Sequence, residues 1–269
     1  MDIKYSVLTF NFGGYENFRE IKPEVYNPNV EYVYLTDNRD ITSATWNVKY
    51  FDIPSECLST FEFIYKLRYS PFDYVTNDVV LIIDGSVEIN MDLGFLIQHF
   101  IDNGYEYAVM PHQEVNTSIQ QYLQWAYLRI WDLPQLEKAI KFLNEQNYDV
   151  INYKGQYLAT VQIQKKSSFT NQLNALTYQF CKMIGDIEPK SRLGIERIDQ
   201  IILSFVLNKW FSDKKVLALN SDMLNGNEFT WYDHSSDSPP RNVKRIVKPY
   251  LFDRECQLTS LVPPKPSQN

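Results

Sequence analysis

Cysteine is scarce in this sequence. Cys57, Cys181 and Cys256 are the only three in 269 residues, and they lie far apart. With no CxxC pair, the pattern argues against a zinc knuckle or a thioredoxin-like site, and three separated thiols fit a reducing compartment. An excess of basic charge is also missing. Lys and Arg number 26 against 33 Asp and Glu, a formal net charge of −7. A protein that coats nucleic acid carries a basic surface instead, so no nucleic-acid partner is expected. No run of 18 apolar residues occurs, so no transmembrane segment is expected. The opening Met-Asp-Ile-Lys-Tyr-Ser-Val-Leu-Thr-Phe has no basic stretch before a long apolar core, so no signal peptide is expected and a cytoplasmic location follows as the expectation. A Walker loop, GxGxxG, GxSxG and HExxH are all absent. Their absence argues against P-loop ATPases, common dehydrogenases, α/β-hydrolases and zincin proteases.

Aromatic side chains are abundant: 5 Trp, 19 Tyr and 16 Phe. They provide core volume, and Tyr and Trp also form half-wet faces suited to sugars and bases. The apolar share of 44% and charged share of 22% leave ample surface for a core. The length suits one large domain with a small appendage. We expect a domain over 1–238 and an extension over 239–269, divided near Pro239-Pro240.

Strand and helix signals alternate along the first hundred residues. Strands are expected at Tyr5–Phe10, Glu31–Thr36, Trp46–Phe51 and Val79–Ile83, and a helix at Ser55–Tyr69 with Ser55 as its N-cap. Leu93–Ile101 reads as a helix and Tyr107–Met110 as a strand. Helices are expected at Ser118–Ile130, Gln135–Leu143, Thr170–Met183 and Glu196–Trp210, and strands at Tyr157–Gln164 and Val216–Leu219. The Val-Val-Leu-Ile-Ile run at 79–83 is apolar on both faces, as a buried, mostly parallel sheet demands. The fold class expected is therefore α/β, a mostly parallel central sheet flanked by helices.

Ligands of open α/β sheets sit at the carboxyl ends of strands. Polar residues just after strand signals are therefore candidates: Asn11, Gly13, Gly14 and Tyr15; Asp37 and Asn38; and Asp84-Gly85-Ser86. A carboxylate leaving a buried strand is costly unless it meets a cation or donors. Strand alternation would put Asp84, Ser86 and Glu88 on one side, where they can hold a divalent ion or a ribose; the alternative is an Asx-turn at Gly85. Lys66 and Arg68 close a helix, either as favourable charges at its C-terminus or as an anion clamp. Asp199 and Gln200 open the last long helix beside the stripe Ile198, Ile201, Ile202 and Phe205, either as dipole partners or at a cleft edge. His112 follows a strand, His99 lies on a helix, and His234 sits in a loop with Trp231 that can close over the rim.

These segments together resemble the nucleotide-sugar-dependent glycosyltransferases of the GT-A fold. The opening Val7-Leu8-Thr9-Phe10-Asn11-Phe12-Gly13-Gly14-Tyr15 is similar to that of a group of bacterial hexosyltransferases with plant relatives. The resemblance implies a Rossmann-like GT-A domain that moves a hexose from a nucleoside-diphosphate sugar, a UDP-sugar being favoured, to a glycan or lipid-linked hydroxyl. It implies that Asn11, Gly13 and Tyr15 line the nucleotide and that Asp37 accepts from base or ribose. Lys66 and Arg68 would face the diphosphate, and Asp84 would be the first acid of Asp-x-Asp. Asp199 and Gln200 would lie by the transferred sugar or the acceptor, and His234 would contact metal or phosphate. Ser86 stands where the second acid belongs, and a hydroxyl is a weak ligand for Mn²⁺ or Mg²⁺. Glu88 can substitute for it, or Lys66, Arg68 and His234 can neutralise the diphosphate without metal.

An inverting reaction needs a general base, for which Asp199 is the first candidate and Glu114 the second, with His112, Trp231 and His234 as acceptor or lid residues. A GT-A-like binding protein without catalysis, and a sugar nucleotidyltransferase, are the competing readings. In the extension, Arg241, Lys244, Arg245 and Lys248 recur at helical spacing beside Val243, Ile246, Val247 and Tyr250. That is either a helix packed on the domain or a peripheral contact with an anionic membrane.

Overall fold

Strands buried on both faces dominate the fold. The computed structural model describes residues 3–14, 16–57, 60–111, 141–147, 157–184, 198–211, 215–224 and 226–232. The strands are β1 (Ser6–Asn11), β2 (Glu31–Thr36), β3 (Asn47–Tyr50), β4 (Val79–Ile83), β5 (Val87–Ile89), β6 (Tyr107–Pro111), β7 (Tyr157–Lys165), β8 (Val216–Ala218) and β9 (Phe229–Trp231). Seven of them form one sheet in the order β3-β2-β1-β4-β7-β6-β8. Neighbours are parallel except around β7, which runs antiparallel to both β4 and β6. β5 and β9 pair as a separate antiparallel ribbon.

The four helices named are α1 (Thr60–Tyr69), α2 (Gly94–Asp102), α3 (Ser168–Ile184) and α4 (Ile198–Trp210). Strand alternation sends successive side chains to opposite layers. Leu8, Phe10, Val80 and Ile82 meet Phe63 and Leu67 of α1, while Val7, Leu81 and Ile83 meet Leu96, Ile97 and Phe100 of α2. α3 and α4 share a further core with Tyr65 and Tyr69 of α1 and with Tyr107, Val109 and Ala159 of the sheet. Helices thus cover both faces, which is why β4 needs no polar residue along its length.

The chain runs from β1 outward to β2 and β3, then returns to β4 on the other side of β1. The strand order therefore switches between β1 and β4, and the crevice outside their carboxyl ends is the place such a sheet offers a ligand.

β2 and β4 have the bounds expected from sequence, and β1 is displaced by one residue. Two expectations need correction. α1 begins at Thr60, so Ser55 lies before the helix and is not its cap. The strand expected to run through Asp84 to Glu88 breaks: Val87 N donates to Asp84 O at 2.9 Å, so residues 84–86 form a turn ahead of β5. Asp84, Ser86 and Glu88 consequently share no strand face. The hydrogen bonds of β5 go to β9, far along the chain, and no local pattern foretells that pairing. Residues 141–145 are helical; the rest of the helices expected at 118–143 and the extension 239–269 lie outside the described residues. No helix among the described residues is long and apolar enough to cross a membrane.

Candidate functional site

The loops after β1, β2 and β4 converge at the switch point. Gly13 and Gly14 take φ of +70° and +63°, a left-handed pair that favours glycine. Asn11 clamps the turn from below: its Oδ1 accepts from Glu16 N at 3.0 Å and its Nδ2 donates to Glu16 O. Asp37, just beyond β2, accepts from Gly13 N through both oxygens, at 3.1 and 3.0 Å. The Asp84-Gly85-Ser86 turn packs against this loop so closely that a Cβ at Gly85 would stand 3.2 Å from both Phe10 O and Glu16 Cγ.

Behind the turns lies a buried ion cluster. Arg68, in the last turn of α1, pairs through Nη2 with Asp84 Oδ1 and through Nη1 with Asp199 Oδ2. Side-chain exposure is 5% for Arg68, 12% for Asp84 and 1% for Asp199. Three elements meet here: the end of β4, the last turn of α1 and the first turn of α4. One guanidinium thus bridges two carboxylates. Burial alone would favour neutral arginine, but the two carboxylates outweigh it and hold the guanidinium's pKa above its ordinary value. The Phe10 ring lies 5.3 Å from its Cζ.

Polar groups continue inward. Tyr107 OH donates to Gln162 Oε1 at 2.8 Å, Gln164 Nε2 donates to the same oxygen at 2.9 Å, and Asn174 Nδ2 donates to Gln164 Oε1 at 2.7 Å. Burial pushes the hydroxyls of Tyr69 and Tyr107 up, and the Asp199 carboxylate adds to the rise at both; both stay neutral donors at any ordinary pH. Among the described residues, Arg68 Nε, Tyr69 OH, Ser86 Oγ and Thr160 Oγ1 are buried and have no hydrogen-bond partner. Thr160 lies on β7 beside the end of β4, its carbonyl accepting from Asp84 N at 2.9 Å.

The structure therefore brings Arg68, Asp84 and Asp199 together, with Gln200 buried beside them on α4. Lys66 is not with them. Two positions apart on a helix is roughly 200° of rotation, and Lys66 is 40% exposed with Glu56 at 4.0 Å. Glu88 is engaged elsewhere, by Lys22 Nζ and by Tyr232 OH at 2.8 Å. Trp231 lies in β9 opposite Val87. Tyr15, His112, Glu114 and His234 lie outside the described residues. Sequence reasoning missed Arg19, Lys22 and Tyr232, which surround the Gly85 turn. Arg19 follows no strand end, and its contact with Gly85 spans 66 positions, so no local signal marks it.

Of the candidate metal ligands Asp84, Glu88 and His234, only the first two are described, and both are bonded within the protein. Asp84 is bonded to Arg68 and Glu88 to Lys22 and Tyr232, and among the described residues no group of three or more His, Cys, Asp or Glu could hold an ion. Compared with models of protein families and with curated proteins, the chain matches none.

Proposed function

We propose that this chain is a glycosyltransferase, a GT-A-like hexosyltransferase that moves a sugar from a nucleoside-diphosphate donor, a UDP-sugar for preference, to a glycan or lipid-linked hydroxyl. One observation carries the reading. Asp84 and Asp199, from opposite halves of the chain, are held on one buried guanidinium directly behind the switch point of an α/β sheet. A fold does not keep two carboxylates there cheaply, because desolvating charge is expensive unless partners compensate it.

In this reading Asp84, the more exposed carboxylate, meets a ribose or sugar hydroxyl, and Asp37 with the Gly13–Gly14 turn lines the nucleotide. Asp199 accepts from Arg68 through Oδ2, so it suits orienting a sugar hydroxyl better than removing a proton. A GT-A-like binding domain without catalysis is the second reading, favoured by the 1% exposure of Asp199.

Calorimetric titration with UDP and GDP, with Mn²⁺ and with EDTA, tests the proposal. Binding of one nucleotide, unchanged by EDTA and lost in Asp84→Ala, is the expected result. Failure of both to bind refutes the site. Binding with no nucleotide release from the donor sugar over a panel of glycan and lipid-linked acceptors selects the second reading.

A further inference from the structure

A nucleoside diphosphate brings two or more negative charges, which a site meets with cations or hydrogen-bond donors. Arg68 is bonded to both Asp84 and Asp199, Lys22 is bonded to Glu88, and Asp37 accepts from Gly13 N. A metal-ligand set is not formed by the described acids. A phosphate ligand there is best met by a cation not already bonded to a carboxylate.

Arg19 has the properties required. Its Nη1 donates to Gly85 O at 3.1 Å and to Asn17 O at 3.3 Å, and its Cζ lies 4.1 Å from the centroid of the Tyr232 ring. Tyr232 is itself fixed, by its backbone N–H on Ser86 O at 2.9 Å and its hydroxyl on Glu88. The Arg19 backbone is fixed as well, since its carbonyl accepts from Trp46 Nε1 at 2.9 Å. Glu16 packs its stem on the same turn, yet among the described residues no carboxylate lies within ion-pair distance of Arg19. A guanidinium stacked on an aromatic ring is weakly hydrated and keeps a fork of donors that matches phosphate oxygens. It has five N–H bonds, and only those on Nη1 are taken up by the two carbonyls.

We infer that Arg19, stacked on Tyr232 and anchored to the Gly85 carbonyl, is the residue that meets the phosphates of the nucleotide. The inference rests on the reading of the site given above. Arg19 touches neither Asp84 nor Asp199, so its role can be lost while the buried cluster stays whole.

The test compares a nucleotide with its own nucleoside. Wild type, Arg19→Ala and Arg19→Lys are titrated with UDP and uridine, and with GDP and guanosine, in EDTA. Arg19→Ala is expected to weaken the bound diphosphate by roughly tenfold or more, the loss of at least one charge-assisted hydrogen bond. Its nucleoside should bind as to wild type, and Arg19→Lys should fall between. Equal diphosphate affinity in wild type and Arg19→Ala overturns the assignment. Parallel loss of diphosphate and nucleoside also overturns it, because that marks a residue that only supports the loop. If wild type binds neither diphosphate, the reading of the site falls first and this inference with it. Should Arg19→Ala fail to fold, Arg19→Gln keeps a donor for the Gly85 carbonyl and is judged by the same comparison.

Discussion

Replacing Arg68 with methionine removes the cation that bridges two buried carboxylates. Met follows the arginine stem in length, so the loss is mostly electrostatic. Breaking a buried ion pair by deleting one partner costs about 3–5 kcal/mol, because the other charge is left uncompensated. Here two charges are left, at 1% and 12% side-chain exposure, so Arg68→Met should lie at or above the upper end of that range at neutral pH. Domains of this kind have a total stability of about 5–15 kcal/mol, so the variant should be close to unfolding. The loss has a pH signature. The loss depends on ionised carboxylates, so the gap to wild type should shrink as pH falls toward the ordinary carboxyl range of about 4. Urea titration at several pH values, followed by tryptophan fluorescence, reads both quantities. A companion variant, Arg68→Met with Asp84→Asn and Asp199→Asn, removes all three charges and should recover at least half of the loss. If Arg68→Met alone falls within about 1 kcal/mol of wild type, as an exposed ion pair would, the cluster is solvated and the argument for the site is wrong.

Glu31 gives a second pH test. Its carboxylate accepts from Ser6 Oγ, from Thr76 N at 2.8 Å and from Thr76 Oγ1 at 3.0 Å, tying β1 and β2 to the loop ahead of β4. Burial would raise its pKa, but the hydrogen bonds outweigh it and hold the group below its ordinary value of 4.5. A depressed carboxyl stabilises the fold above its unfolded pKa and ceases to do so as pH falls through the lower, folded value. Glu31→Gln should therefore lose about 1–3 kcal/mol near neutrality, with the gap closing in acid; a gap that stays constant down to about pH 3 would refute this. Gly85→Ala should destabilise by about 1–3 kcal/mol, because the Glu16 side chain can yield but the Phe10 carbonyl cannot. An unchanged melting temperature would refute the close approach of the two turns.

How legible these features are in sequence depends on how local their causes are. β2 and β4 are readable end to end because Glu-Tyr-Val-Tyr-Leu-Thr and Val-Val-Leu-Ile-Ile are buried almost throughout, and β-branched or aromatic runs bounded by polar residues allow few other conformations. Asp199 is placed beside the Ile201, Ile202 and Phe205 stripe by helical phase, and it is buried. Arg68 shows the limit. Its position near a helix end suits an exposed cation as well as a buried one, and only the packing of α1 against the layer containing α4 decides between them. The β5–β9 ribbon is illegible for the same reason: each strand is three residues long and its partner lies some 140 positions away.

The sequence by itself determined where the chain is extended or helical and which faces are apolar, because backbone preference and side-chain periodicity act over a few residues. It also determined that a carboxylate follows a strand buried on both sides. Tertiary structure alone decided what that carboxylate meets. Coulomb and desolvation energies depend on distance and burial in space, and the switch in strand order brings Arg19, Arg68 and Asp199 to Asp84 and its turn from three separate stretches of the chain.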